Sequence, residues 1–177
     1  MTALKANSSY RYVTEAGHGG GLNVTYLSLP QYPELQKTGI VLKQQLAKIG
    51  INVSIQQLEV TVWLERYVKA NYQMTSAYWS GTIDPDNFYS TQITTGSPNN
   101  ATKYSNKAVD ALIAKARSTS DAERKSLYEQ IRAIIWDDVP LVFVHYETIN
   151  YLMSSKVNGS TVNPPLELRF GQVWKSS

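Results

Sequence analysis

The chain has 177 residues, no cysteine and a formal net charge of +3. Its length suits one domain with one substantial core, and 42% hydrophobic with 18% charged residues is ordinary for a folded protein. The composition excludes disulfides and thiol catalysis, the scattered lysines and arginines argue against nucleic-acid binding, and no apolar run reaches the ~20 residues of a membrane helix.

The first half of the sequence predicts alternating strands and helices. Apolar residues that alternate with polar ones indicate strands, and apolar residues three or four apart indicate helices. The glycines Gly17 and Gly50 are predicted to end the first two helices. The predicted elements are a helix over 4–16, a strand over 22–30, a helix over 35–49, a strand over 51–55, a helix over 63–68 and a strand over 73–79. This β-α-β-α-β order predicts a partly parallel sheet with helices packed on it.

The last of these strands leads into the most informative stretch, residues 78–88, which read Tyr-Trp-Ser-Gly-Thr-Ile-Asp-Pro-Asp-Asn-Phe. Aromatic side chains at the carboxyl end of a strand, beside amides and hydroxyls, are typical of a ligand pocket in an α/β sheet. Asp84 followed by Pro85 predicts a helix start, with Asp84 as the N-cap. The sequence therefore predicts a binding loop that ends in a new helix.

The second half predicts a loop over 91–102 and then two amphipathic helices. The first has an apolar stripe of Val109, Leu112, Ile113 and Ala116. The second opens with a capping box of Ser120 and Glu123, turns Leu127, Ile131, Ile134 and Ile135 inward, and ends at Pro140. Residues 141–146 predict a buried strand, for which 149–153 offer a partner, and the proline-containing tail over 162–177 predicts an extended segment.

Catalytic and metal chemistry have few candidate residues. His18 and His145 are the only histidines, neither has a nucleophile motif beside it, and we expect His145 to be packed and hydrogen-bonded at the end of its strand. Asp84 and Asp86 lack the spacing of a calcium loop, and the glycines at 19–21 lack the Lys-Ser/Thr of a phosphate loop. The sequence predicts no cofactor and no metal.

Seven segments together carry a family resemblance through their order and spacing. They are residues 15–17, 46–51, 79–88, 104–113, 121–128, 138–142 and 156–159. In this order the chain, from about residue 4 to residue 174, resembles the carboxyl-terminal part of the extracellular solute-binding proteins, family 5. These are the dipeptide-, oligopeptide- and nickel-type binding proteins of bacterial ABC importers.

The resemblance implies an α/β fold: one lobe of a type II periplasmic-binding-protein fold, with a mixed sheet and flanking helices. We expect residues 1–177 to form this single lobe and 162–177 to head toward a missing amino-terminal lobe. The implied function is capture of a small solute for import, and the implied partners are the solute, the other lobe and an ABC permease. The implied location of the parent protein is periplasmic or extracytoplasmic, although no signal peptide opens this sequence.

The resemblance also implies a set of ligand contacts. Trp79 matches the tryptophan that precedes the ligand-contacting loop in peptide-binding relatives, although an indole there could instead fill the core. The expected contacts are Tyr78, Trp79, Ser80, Gly81, Thr82 and Asp84. Thr82 stands where many relatives carry an acidic residue that pairs with the ligand's α-amino group, so an opine or an oligosaccharide is an alternative to a peptide. We expect Trp63, Trp136 and Trp174 to be packing residues.

Two other classes of function stay open from the residues alone. One is a small hydrolase or transferase that uses Asp84 or Asp86 with His145. The other is an interaction module that binds no ligand.

Overall fold

The structure is a computed structural model that describes residues 8–79, 83–146, 148, 150–162 and 168–176. Its contacts divide the chain into two compact units, Met1–Tyr78 and Trp79–Ser177. Among the described residues, no helix is both long and apolar enough to span a membrane.

The first unit alternates helices and strands, as the sequence predicts. Its elements are α1 (Ser8–Val13), a wide helical turn (Thr14–His18), β1 (Leu22–Ser28), α2 (Pro33–Ala47), β2 (Ile51–Gln57), α3 (Val60–Val68) and β3 (Met74–Thr75). Gly17 and Gly50 both have positive φ, at 88° and 84°, which a glycine adopts without strain. The predicted end of the second helix before Gly50 is confirmed, whereas the first helical stretch continues to His18, one residue past the non-helical Gly17.

The three strands form one parallel sheet in the order β2-β1-β3. β1 and β2 pair along their whole length, from Leu22 with Ile51 to Ser28 with Gln57. β3 is shorter than the predicted strand over 73–79, because only Met74 and Thr75 pair with β1. Just before β3, the side chain of Gln73 accepts a hydrogen bond from the Thr25 amide, 2.7 Å away. The side chain of Gln73 thus satisfies a backbone amide of β1 that β3 does not reach.

Two aromatic residues organise the core of the first unit. Tyr26 is fully buried and faces α2, where Gly39 leaves room for its ring. On the other helix, the buried Trp63 stacks on Tyr67 at 4.7 Å and donates a hydrogen bond to Thr75 at 2.8 Å. The prediction of Trp63 as a packing residue is confirmed.

The second unit is helical, with short antiparallel strand pairs near its end. Its described elements are α4 (Pro85–Phe88), a wide helical turn (Tyr89–Ile93), α5 (Lys107–Ala116), α6 (Asp121–Asp138), β4 (Val157–Asn158), β5 (Thr161–Val162), β6 (Leu168–Arg169) and β7 (Trp174–Lys175). β4 pairs with β7, and β5 pairs with β6. The loop predicted over 91–102 begins later than expected, because the wide turn continues to Ile93.

The predicted inner faces of α5 and α6 form the core of this unit. Val109, Ile113, Leu127, Ile131 and Ile135 are buried in one cluster with Ile93, and Leu112 and Ile134 pack against it. The predicted capping box is wrong: the Ser120 side chain caps no helix amide. Glu123 instead accepts a hydrogen bond from Thr119 and pairs with Lys115 at 2.8 Å.

The predicted strand over 141–146 is wrong. These residues form no strand, and Val142, Phe143, Val144 and Tyr146 are exposed. A β-branched and aromatic run becomes a strand only where another strand offers hydrogen-bonding groups, and no strand of the described part of this unit pairs with it. Of the proposed partner over 149–153, Ile149 lies outside the described residues and 150–153 form no strand.

Three side chains that the sequence analysis placed in packed positions are exposed. Trp136 and Trp174 are 76% and 59% exposed, so neither is the packing residue that the sequence analysis expected. His145 is exposed with the rest of the 141–146 stretch, so it is not the packed histidine that a buried strand would have produced.

Candidate ligand-binding site

Two tyrosines meet at the carboxyl edge of the sheet in the first unit. Tyr32 follows β1 and Tyr78 follows β3, and carboxyl ends of adjacent parallel strands lie on the same edge, where α/β proteins bind ligands. The two rings meet edge to face, with centroids 6.0 Å apart. The hydroxyl of Tyr78 donates to a carboxylate oxygen of Glu34, 3.2 Å away. We call Tyr32, Glu34 and Tyr78 the tyrosine cluster.

Tyr26 explains why these three residues come together. Its hydroxyl donates to the carbonyl oxygen of Leu35 in the first turn of α2, 2.8 Å away, and also bonds the hydroxyl of Ser76. A hydroxyl has one proton, so Ser76 is the donor in the second bond. Burial raises the pKa of the Tyr26 phenol. Tyr26 therefore ties the start of α2, which carries Glu34, to the segment after β3, which carries Tyr78.

The predicted binding loop continues in the second unit, where Trp79 is its first residue. Trp79 follows β3 by four residues along the chain and is 44% exposed, so its indole is not enclosed by the core of its unit. Ser80, Gly81 and Thr82 lie outside the described residues. Ile83, where the description resumes, is also exposed. We call residues 78–84 the aromatic segment.

The downstream end of the aromatic segment is fixed by Asp84. Asp84 is the N-cap of α4, as predicted, and its side chain accepts a hydrogen bond from the Asp86 amide at 2.8 Å. The same carboxylate oxygen accepts from the guanidinium of Arg124 at 2.6 Å. The Arg124 hydrogen bond, and then that of the Asp86 amide, lower the pKa of Asp84.

Asp86 forms a second ion pair two residues further on. Arg117 donates from Nε to both carboxylate oxygens, at 2.9 and 3.0 Å, and the Tyr128 hydroxyl donates to one of them at 3.2 Å. Asp84 is thus tied to Arg124 of α6, and Asp86 to Arg117, the C-cap residue of α5. Their contacts are those of structural residues, and the ligand role of Asp84 stays a prediction.

The residues of the alternative catalytic reading are not brought into one described arrangement. The two aspartates are engaged by Arg124 and Arg117, and His145 lies in the exposed stretch after α6. In the described part of the chain, no three histidine, aspartate or glutamate side chains are placed to hold a metal ion.

Sequence reasoning missed two features of the first unit. One is the pairing of Tyr32 and Glu34 with Tyr78, although the position of Tyr32 just after β1 was a usable signal. The other is an open groove of about 330 Å³ on the sheet, lined by Thr25, Leu27, Gln56, Arg66, Ala70, Asn71, Tyr72 and Gln73. Its lining is mostly polar and comes from the second halves of β1 and β2, the last turn of α3 and residues 70–73.

Comparison with known proteins identifies the family. The family model for "Bacterial extracellular solute-binding proteins, family 5 Middle" matches residues 7–101. The chain belongs to this family, and the resemblance read from its sequence is confirmed.

Individual relatives agree with that assignment. The chain is 31% identical over 140 residues to Di/tripeptide-binding protein 4 of Pseudomonas aeruginosa (strain UCBPP-PA14), an alignment that covers 76% of this chain and 26% of the relative. It is 29% identical, with a TM-score of 0.64, to a Helicobacter pylori structure described as the ABC transporter-associated periplasmic binding protein DppA in complex with the peptide STSA, covering 74% of this chain and 27% of that one.

A third likeness concerns the fold alone. HbpA2 from Haemophilus parasuis matches 95% of this chain and 35% of its own with a TM-score of 0.80, at 24% identity. The expected α/β fold of a periplasmic binding protein is confirmed, and the strands β1, β2 and β3, for which a mixed sheet was expected, are all parallel. The chain spans about a quarter to a third of the length of these relatives.

Proposed function

We propose that the chain is a ligand-binding part of the substrate-binding component of an ABC importer. It contributes a wall to the cleft that captures a peptide-like or other small solute. The observation that carries the proposal is the exposed indole of Trp79, placed soon after the parallel sheet in a chain of this family. An exposed tryptophan offers a large apolar face and one donor at a low cost in side-chain entropy.

The aromatic segment is the proposed wall. Tyr78, Trp79, Ser80, Gly81 and Thr82 supply aromatic faces, amides and hydroxyls to the solute. Asp84 ends the segment, and its bonds to Arg124 and the Asp86 amide support a fixed loop end. A loop whose end is already ordered loses less conformational entropy when a ligand binds.

The partners proposed for the whole protein follow from this role. Residues 1–177 act as one lobe, the rest of the cleft comes from an amino-terminal lobe, and residues 162–177 lead back toward it. The closed form presents its solute to a membrane permease, and the protein works in the periplasm or another extracytoplasmic space. Closure of two lobes around a solute is a hinge motion that the family's two-lobe architecture permits.

Peptides are the first solute class to test, since two of the relatives named above are described by the peptides they bind. An opine and an oligosaccharide stay in the test because Thr82 is neutral. Catalysis on the solute is less favoured, since the carboxylates of Asp84 and Asp86 are engaged by arginines.

A thermal-shift screen of the full-length protein against peptides, oligosaccharides and opines tests the proposal. We expect one class to raise the melting temperature in a concentration-dependent way, and mass spectrometry to recover the compound unchanged. No stabilisation by any class, or recovery of a converted product, would contradict a solute-binding function.

A further inference from the structure

We infer that the tyrosine cluster of Tyr32, Glu34 and Tyr78 is a subsite for a positively charged amine of the solute. The inference rests on the proposed function and deepens it by naming the chemistry of one group on the solute.

The cluster has the composition that binds an ammonium group. A carboxylate supplies a charge-assisted hydrogen bond, and tyrosine faces attract a cation through the ring quadrupole. Glu34 supplies the carboxylate, and Tyr32 and Tyr78 supply two rings that meet edge to face at 6.0 Å. The two ring planes are inclined by 67°, so the rings turn their faces in different directions, and the carboxylate lies at the hydroxyl end of the Tyr78 ring.

The cluster is accessible in its unit. Tyr32 and Tyr78 are 41% and 38% exposed, and Glu34 is exposed in the first turn of α2. Because the carboxyl edge of a parallel sheet is where α/β proteins bind ligands, these exposed groups stand at a position suited to a solute.

The charge of Glu34 is not neutralised by a cation in the described part of the chain. There its carboxylate accepts a bond from the neutral Tyr78 hydroxyl, and no lysine or arginine forms an ion pair with it. Asp84 and Asp86 differ, because each is paired with an arginine. Of these three carboxylates, Glu34 is therefore the one placed to receive an external cation.

The cluster is also held in place before a ligand arrives. Tyr26 is fully buried and bonds both the Leu35 carbonyl, next to Glu34, and Ser76, two residues before Tyr78. These bonds fix the two chain segments that carry the cluster. A site ordered in advance binds with less loss of conformational entropy.

The test separates the subsite from the proposed function by using a minimal cation. Full-length protein labelled with 3-fluorotyrosine is titrated with methylammonium chloride, whose N–H groups can donate to a carboxylate, and with its neutral analogue methanol. The Tyr32 and Tyr78 signals are assigned with Tyr32→Phe and Tyr78→Phe. We expect saturable shifts of both signals with the cation only. Glu34→Gln should weaken the apparent affinity about tenfold, whereas Glu59→Gln, at another exposed glutamate of the same unit, should not change it.

The inference is overturned if neither tyrosine signal shifts saturably, or if Glu34→Gln shifts like the wild type. A second arm asks whether the subsite serves a solute, by calorimetric titration with tri-alanine and N-acetyl-tri-alanine. If Glu34→Gln weakens the binding of tri-alanine but not of N-acetyl-tri-alanine, the subsite binds an amine of the solute. If wild type and Glu34→Gln bind tri-alanine with equal affinity, that role is overturned. If the cation binds but neither peptide does, the amine subsite stands and peptide capture fails.

Discussion

The two ends of the aromatic segment are held by different chemistry. In the first unit, Tyr78 follows Ser76, which bonds the fully buried and neutral Tyr26. In the second unit, Asp84 and Asp86 are held by the partly exposed guanidinium groups of Arg124 and Arg117. A buried neutral bond and an exposed ion pair respond to different conditions, so packing, salt and pH should each act more strongly on one end than on the other.

The largest effect should come from crowding the buried end. A Cβ atom on Gly39 would lie 2.5 Å from the Tyr26 ring, so Gly39→Ala must displace Tyr26. Although alanine favours the helix by about 1 kcal/mol, we expect a net loss of about 2–3 kcal/mol in the free energy of unfolding, typical of overpacking.

Chemical denaturation of the full-length protein measures this loss, with Gly20→Ala as the control. A Cβ atom on Gly20 meets no atom within 4 Å. If Gly39→Ala is as stable as Gly20→Ala, the ring of Tyr26 is not fixed against α2, and the account of the buried end is wrong.

A smaller loss should follow when only the hydroxyl of Tyr26 is removed. Tyr26→Phe keeps the ring but takes the donor from the Leu35 carbonyl and the acceptor from Ser76. We expect a loss of about 1–2 kcal/mol in the free energy of unfolding, because buried polar groups are left unpaired. Tyr146→Phe, at a residue that is 95% exposed, is the matched control and should change little.

The same variant distinguishes the two ends by salt. High salt screens exposed charges but has little effect on a buried neutral bond. The stability difference between wild type and Tyr26→Phe should therefore be equal in low salt and in about 1 M NaCl. A difference that disappears in salt would show that the buried end depends on charge.

The exposed end should lose less. Asp86→Asn removes the charge that Arg117 binds, and we expect a loss of up to about 1 kcal/mol, the range of a partly exposed ion pair. Unlike the Tyr26→Phe loss, this one should fall in high salt. Denaturation of Asp86→Asn and of Asp137→Asn, which neutralises another acidic residue of the same unit, is compared at both salt concentrations. If the loss of stability in Asp86→Asn is the same at both salt concentrations, Asp86 stabilises the fold through packing and not through its charge.

The smallest effect should be a difference in pH response. The hydrogen bond from Arg124 lowers the pKa of Asp84 below its ordinary 3.8. The stabilisation of the fold by charged Asp84 is therefore present above pH 3.8, and it is lost as the pH falls through the lower pKa of Asp84 in the folded protein. Burial raises the pKa of Tyr26 from 10.0, so its stabilisation is present below that value and is lost as the pH rises through the higher folded value.

Thermal unfolding against pH measures both. The stability difference between wild type and Asp84→Asn should shrink below about pH 4, and that between wild type and Tyr26→Phe should change only above about pH 10. A Tyr26→Phe difference that shrinks in acid would remove the contrast between the two ends.

The sequence could predict those parts of the fold that depend on local chemistry. The apolar spacing of α2, α5 and α6, and the Asp84-Pro85 helix start, depend on residues within one or two turns. The strand predicted over 141–146 failed because its apolar residues would need a distant strand to pair with. The expectation that Trp136 packs failed for the same reason, since a large apolar side chain is buried only where another element covers it.

One part of the candidate site could likewise be predicted from the sequence, and another part could not. The exposed Trp79 follows a strand in the sequence and could be proposed from that position alone. The contact of Glu34 with Tyr78 joins residues 44 positions apart and depends on the order β2-β1-β3. The strand pattern predicted parallel strands but not which two were neighbours, so it could not place Tyr32 and Glu34 beside Tyr78.

The most direct test of a solute wall in the aromatic segment compares two exposed tryptophans of the second unit, Trp79 and Trp136. Calorimetry of the full-length protein uses the compound that stabilises it most in the thermal-shift screen. We predict that Trp79→Ala weakens binding by about tenfold or more, as for an aromatic anchor, and that Trp136→Ala leaves it within about twofold. Wild-type affinity in a folded Trp79→Ala variant would contradict the claim that this segment contacts the solute.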